Sequence, residues 1–247
     1  MILNTDGVVL TQMSVGESDT IITVLTRDYG VIRGFVRGAR KIKSNYLSAT
    51  QPLCYSRFSV FRGRDKYIFD EAEPIEVFFN LRKDIEKLAL AQYLCDLARD
   101  LAPQEDSAES FLRLLLNSLH LLSTGKYEPL HIKATYEMRV MAMTGYMPNL
   151  VACENCGEYE TDEMYFDFQH ALLYCENCVP KNQARKTTLG VVTAMRHIVF
   201  SELDKLFAFT LNEENMKELS YVCENYLLIQ TQHKYKTLDF YNSLFKI

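Results

Sequence analysis

The sequence predicts an α+β chain: a small closed β-barrel at the N-terminus, then an α-helical domain interrupted by a four-cysteine knot. Three observations carry this. Short β-branched and aromatic runs fill the first 80 residues. The apolar period then changes from strand-like to helix-like. Two Cys-x-x-Cys pairs, separated by 18 residues, fall between the helical stretches.

The strands come first. GVVLTQM (7–13), TIITVLT (20–26), YGVIRGFVRG (29–38), LCYSRFSVF (53–61) and KYIFDEA (66–72) are separated by Gly and polar breaks. Gly16, Gly30 and Gly63 mark turns or bends. Five short strands in so few residues suit an OB-fold or an SH3-like barrel. From residue 81 the spacing becomes helical. LRKDIEKLALAQYLCDLARDL (81–101) is amphipathic, and AESFLRLLLNSLHLL (108–122) is apolar enough to be buried on most sides. LHIKATYEMRVMAMTGY (130–146) ends at Gly145 and Pro148. Helices over 188–209 and 212–232 follow the knot, the second capped by Asn212 with Glu213 and Glu214 in its first turn. The expected domains are therefore 1–80 for the barrel and 81–247 for the helices, with an insert at 150–182.

Of the seven cysteines, Cys54, Cys95 and Cys223 lie alone in apolar surroundings and read as small buried hydrophobes. The N-terminus carries neither a basic leader nor an apolar run of signal length, and no stretch is long and apolar enough to span a membrane. An odd cysteine count then argues against a disulfide framework, and the expected location is the cytoplasm.

Cys153, Cys156, Cys175 and Cys178 have the spacing of a four-thiolate zinc site. Two residues between thiolates let both sulfurs of a pair reach one ion from a tight turn. Gly157 supplies a residue suited to positive φ where the chain wraps back. Four thiolates saturate a tetrahedral Zn2+ and leave no open position for water or substrate, so the site reads as structural. The alternative is two metal-free thiol pairs. The surrounding acids, among them Glu154, Glu158 and Glu160, make the knot a poor surface for phosphates.

Charge points elsewhere. The chain carries a net −5, yet residues 27–66 hold ten Lys and Arg against Asp28 and Asp65, leaving the rest strongly acidic. A basic island on an acidic chain marks a local polyanion site. Its centre is RGFVRGARKIKSN (33–45). Arg33, Phe35 and Arg37 alternate on a predicted strand, so the two arginines share a face. Arg40, Lys41 and Lys43 follow in a basic loop. Cations that track phosphates beside rings that stack on bases suit a DNA groove; Tyr29, Phe35, Tyr46 and Tyr67 are the candidate rings, and Arg57, Arg62, Arg64 and Lys66 would extend the patch. Gly34 and Gly38 would keep the surface low. No P-loop, nucleophile elbow, HExxH or deaminase signature is present, so an enzyme is not expected. A basic barrel that binds an acidic protein tail is the alternative reading, and a nuclease with scattered carboxylates a third.

These residues resemble a known family. Gly7–Leu10, Gly16–Asp19, Leu25–Gly30 and Arg37–Arg40 resemble the strand, turn and basic-loop motifs of the bacterial DNA repair protein family RecO. EMRVMAMTGYMPNLVACENCG, then YF, then CENC, resembles its helix and four-cysteine knot. One departure is Gln169-His170-Ala171, where many members carry a Gly pair. The resemblance implies an OB-fold barrel, an inserted zinc knot and a recombination mediator. Such a protein binds single- and double-stranded DNA and anneals complementary strands. It works with RecR and helps load RecA onto DNA coated by single-stranded DNA-binding protein.

Overall fold

A computed structural model describes residues 1–39, 48–64, 66–181 and 183–245. The first five strands are β1 (Ile2–Val15), β2 (Asp19–Thr26), β3 (Gly30–Val36), β4 (Cys54–Arg62) and β5 (Tyr67–Val77). They close into a barrel in the order β1-β2-β3-β5-β4. Neighbours are antiparallel except β3 and β5, which meet in parallel at Gly34↔Tyr67 and Phe35↔Ile68. Strict alternation along β3 sends Ile32 and Val36 inward to join Leu3, Val9, Ile22, Val24, Phe58, Val60 and Phe69 in the core. Phe58 and Phe69 meet edge to face with centroids 5.2 Å apart.

Two glycines permit close backbone approaches, Gly34 to β5 within the barrel and Gly30 to the chain at Pro103. Gly34 does not lower the outer surface; it faces inward, and a Cβ there would stand 2.7 Å from the Tyr67 carbonyl oxygen. Gly30 has φ +61, and a Cβ would come within 2.0 Å of the Pro103 carbonyl oxygen, which accepts from the Val31 N–H.

The chain divides into two compact units. One, Met1–Lys126 with Tyr235–Ile247, joins the barrel to α1 (Ile85–Leu101), α2 (Glu109–Thr124) and α6 (Lys236–Ser243). Asp84 caps α1 by accepting from the Glu86 and Lys87 N–H groups. A 3-10 turn, Phe79–Lys83, occupies the start of the expected first helix. α2 buries one face only: Arg113, Asn117 and His120 stay exposed.

The other unit, Tyr127–Lys234, contains α3 (Pro129–Met143), α4 (Leu189–Phe200) and α5 (Glu213–Thr231) around a three-stranded sheet. That sheet is β6 (Glu163–Asp167), β7 (Leu172–Cys175) and β8 (Arg185–Thr188), ordered β7-β6-β8. Asn212 caps α5 through the Asn215 N–H, as its sequence position predicts. α4 stops at Phe200, well short of residue 209. The Arg139 guanidinium donates to the carbonyls of Ile198 and Val199 at 3.1 and 2.7 Å and satisfies the orphaned helix end. No described helix is long and apolar enough to cross a membrane.

His131 on α3 stacks between Tyr127 and Phe209, with centroids 4.8 and 4.3 Å away. Its Nε2 is buried with no hydrogen-bond partner among the described residues. Burial, helped by the nearby His197, pushes its pKa from 6.5 down to about 4. The native state therefore holds it neutral while the unfolded chain protonates it. This contribution to stability is intact above pH 6.5 and is lost as pH falls towards 4. His131→Phe is expected to flatten that acid dependence, read as urea midpoints at neutral and acid pH.

Candidate nucleic-acid interface and metal centre

β3 positions the basic residues. Arg33 and Phe35 stand on its outward face and Arg37 follows its end; all three are exposed. Arg33 and Arg37 make no ion pair among the described residues. Arg40, Lys41, Lys43 and Tyr46 lie outside the described residues. Tyr29 and Tyr67 pack against the barrel core rather than standing free. Arg57 is held by Asp6 at 3.2 Å and Arg62 by Glu105 at 3.1 Å, so the extended patch is partly neutralised. The second half of β5 is acidic: Asp70, Glu71, Glu73 and Glu76 are exposed.

One carboxylate beside the basic segment has a different task. Asp19 opens β2, and its Oδ1 accepts from the Gly38 backbone N–H at 2.8 Å. Gly38 has φ +65, and this bond fixes the chain as it leaves β3 into the basic stretch. Asp19 of the Gly16–Asp19 pattern and Gly38 of the Arg37–Arg40 pattern thereby meet in one contact. Simple charge counting says that Asp19→Ala should raise affinity for a polyanion. We expect the opposite: Asp19→Ala lowers oligonucleotide affinity several-fold, whereas Asp19→Asn, which keeps the acceptor, holds it, as measured by fluorescence anisotropy.

The four-cysteine group is assembled by two tight turns and one strand end. The Cys153 carbonyl accepts from the Gly157 N–H at 2.9 Å, and that of Cys175 from the Cys178 N–H at 3.1 Å. Gly157 has φ +75, as the wrap-back requires. The ligand atoms of Cys153, Cys156, Cys175 and Cys178 lie within 4.8 Å of one another, and none is in a disulfide. The Sγ atoms of Cys156 and Cys175 are 3.7 Å apart. A tetrahedral ion with sulfurs at about 2.3 Å separates them by about 3.8 Å, so the set fits a four-thiolate metal. Burial pushes the Cys153 thiol up, but backbone N–H groups outweigh it and bring the pKa down to about 6, which favours the thiolate.

Two further features tie the knot down, and the sequence marked only the place of the second, the departure at Gln169-His170-Ala171. Arg196 on α4 is buried and donates to the carbonyls of Leu150, Val151 and Tyr159 at 2.7, 3.1 and 2.7 Å, with its guanidinium 4.1 Å from the Tyr159 ring centroid. The β6–β7 turn, where the Gly pair is missing, places Ala171 at φ +59. Asp167 compensates: it accepts from the Gln169 and His170 N–H groups at 2.8 and 3.1 Å and meets the His170 ring at 2.8 Å. Burial raises the Asp167 pKa and these bonds reverse the shift, holding it below its usual value.

With this geometry in place, the comparisons with known proteins are direct. Residues 1–78 match the family described as recombination protein O N terminal, and residues 82–239 match recombination protein O C terminal. The DNA repair protein RecO of Acetivibrio thermocellus is 35% identical over 99% of this chain and 98% of its own. That of Caldicellulosiruptor bescii is 30% identical over 97% and 98%, and that of Alkaliphilus metalliredigens 28% over 93% and 94%. The chain belongs to the RecO family of DNA repair proteins.

Proposed function

We propose that the chain is a non-enzymatic recombination mediator that binds single- and double-stranded DNA on its barrel and anneals complementary strands. The observation that carries this reading is the pair of exposed arginines, Arg33 and Arg37, on either side of Phe35 in an acidic protein, neither in an ion pair among the described residues. The closed order β1-β2-β3-β5-β4 supports assigning the barrel as an OB-fold. Arg40, Lys41 and Lys43 complete the proposed contact. Screening phosphates on two strands lets bases meet without mutual repulsion, and no nucleotide hydrolysis is needed.

On this reading residues 1–80 are the DNA-binding part and 81–247 the helical part. The insert at 150–182 holds a structural Zn2+. RecR, single-stranded DNA-binding protein and, indirectly, RecA are the proposed partners, in the cytoplasm and on the nucleoid. Family membership supports the repair setting. The test is annealing of complementary fluorophore- and quencher-labelled oligonucleotides without nucleotide. Wild type should accelerate it, and Arg33→Glu/Arg37→Glu should cut the gain by about 10-fold. Equal rates for the two proteins would remove the barrel face from the mechanism.

A further inference from the structure

The outer surface of the barrel carries a row of apolar side chains that strand register places side by side. Met13 lies opposite Ile21, Ile21 opposite Phe35, and Phe35 opposite Ile68. Ile68 in turn faces Phe61, and Phe61 faces Ile2. Their sequence neighbours Ile22, Val36, Val60 and Phe69 fill the core, so this row points out. Phe35 and Phe61 are 37% and 41% exposed, Met13 50% and Ile2 65%. Single exposed apolar residues are ordinary; a row on consecutive strands marks a binding surface.

The rim tells which occupant fits. Arg33, Arg37, Arg64 and Lys66 are exposed beside the row and make no ion pair among the described residues. An apolar protein face laid here would strip water from four cations and give them nothing. A nucleic acid strand answers both features: its bases meet the rings and its phosphates the cations. A duplex answers only the second, because its base faces are already stacked. The exposed Glu71, Glu73 and Glu76 further along β5 repel phosphates and keep the strand on the row.

We infer that the row centred on Phe35, Ile68 and Phe61 is a base-stacking platform that makes the barrel prefer single strands to duplex. Phe35 on β3 and Phe61 on β4 flank β5, about 10 Å apart by strand spacing, with Ile68 between them. The inference rests on the DNA-binding reading and names the parts of the strand that the barrel grips.

The experiment compares oligothymidylate, an abasic oligomer of the same length and a duplex, with the full-length protein. Phe35→Ala/Phe61→Ala should weaken oligothymidylate binding by about 10-fold or more, and abasic and duplex binding by less than about 2-fold. Phe35→Leu/Phe61→Leu keeps apolar bulk without a flat ring, guards against misfolding, and should lose a similar factor. The chain has no tryptophan, so Phe61→Trp supplies a unique reporter. Its emission should be quenched by oligothymidylate and left alone by the abasic oligomer. Equal wild-type affinity for the two oligomers, or unquenched emission with oligothymidylate bound, would overturn the platform and leave DNA binding standing. Binding to none of the three would take down both readings.

Discussion

Lys133→Met is expected to destabilise the Tyr127–Lys234 unit by about 3–5 kcal/mol, the cost of leaving a buried charge without its partner. Lys133 is 1% exposed in α3. Its Nζ lies 2.9 Å from Glu137 Oε1, 2.8 Å from Glu224 Oε2 on α5 and 3.5 Å from Ser220 Oγ. Burial alone would push the lysine pKa down, but the two carboxylates outweigh it and hold it above its usual value. Remove the ammonium and Glu137, fully buried, loses the cation that lies 2.9 Å from its Oε1. Lys133→Met/Glu137→Leu should recover part of the loss, because an apolar pair of similar volume replaces the fully buried ion pair, while Glu224, whose side chain is 23% exposed, keeps access to solvent. Urea denaturation of the two variants beside wild type checks both statements. A single-variant loss under about 1 kcal/mol would mean that the site readily admits water.

The second large effect concerns the cysteines. With zinc in place, the bound protein should hold one ion per chain, and Cys175→Ser or a strong chelator should release it. We expect a loss of at least about 3 kcal/mol, or about 6–12 °C in Tm, because binding energy in such a site is folding energy. Affinity for an oligonucleotide should change by less than about 2-fold, since the acidic knot has no place in the proposed barrel contact. A cluster that anchored DNA instead would lose stability and affinity together. Arg196 is what lets the damage spread, because its three carbonyl contacts join the knot to α4.

How much of this could be read from residues alone varied with the physics. β-Alternation placed Arg33 on the outward face, because a period of two leaves only one register that buries Ile32 and Val36. Cys-x-x-Cys spacing located the four-cysteine group for a similar reason: few folds other than a tight turn bring two such sulfurs together. What stayed hidden was long-range compensation. The sequence marks α3 as a helix and marks its end, but not that Lys133, Thr135 and Glu137 are all buried, with Glu224 on α5 drawn in to the Lys133 ammonium. α4 looked longer because the residues after Phe200 are good helix formers; Arg139, some 60 positions earlier, takes its last carbonyls. β8 has no apolar alternation and exists by pairing with β6 at Met164↔Thr187 and its neighbours. The apolar row is invisible for the same reason, since Phe35, Ile68 and Phe61 become adjacent only when the barrel closes.

The most direct test of the account is a salt titration of binding to a fluorescent single-stranded oligonucleotide, wild type beside Arg37→Glu/Arg40→Glu. Each lost phosphate contact removes about 0.7 from the log–log slope for single strands, so the double variant should bind more weakly with a slope shallower by about 1.4. An unchanged slope and affinity would place DNA somewhere other than this end of β3. Absence of wild-type binding even at low salt would contradict the account outright and favour a barrel built for an acidic protein tail.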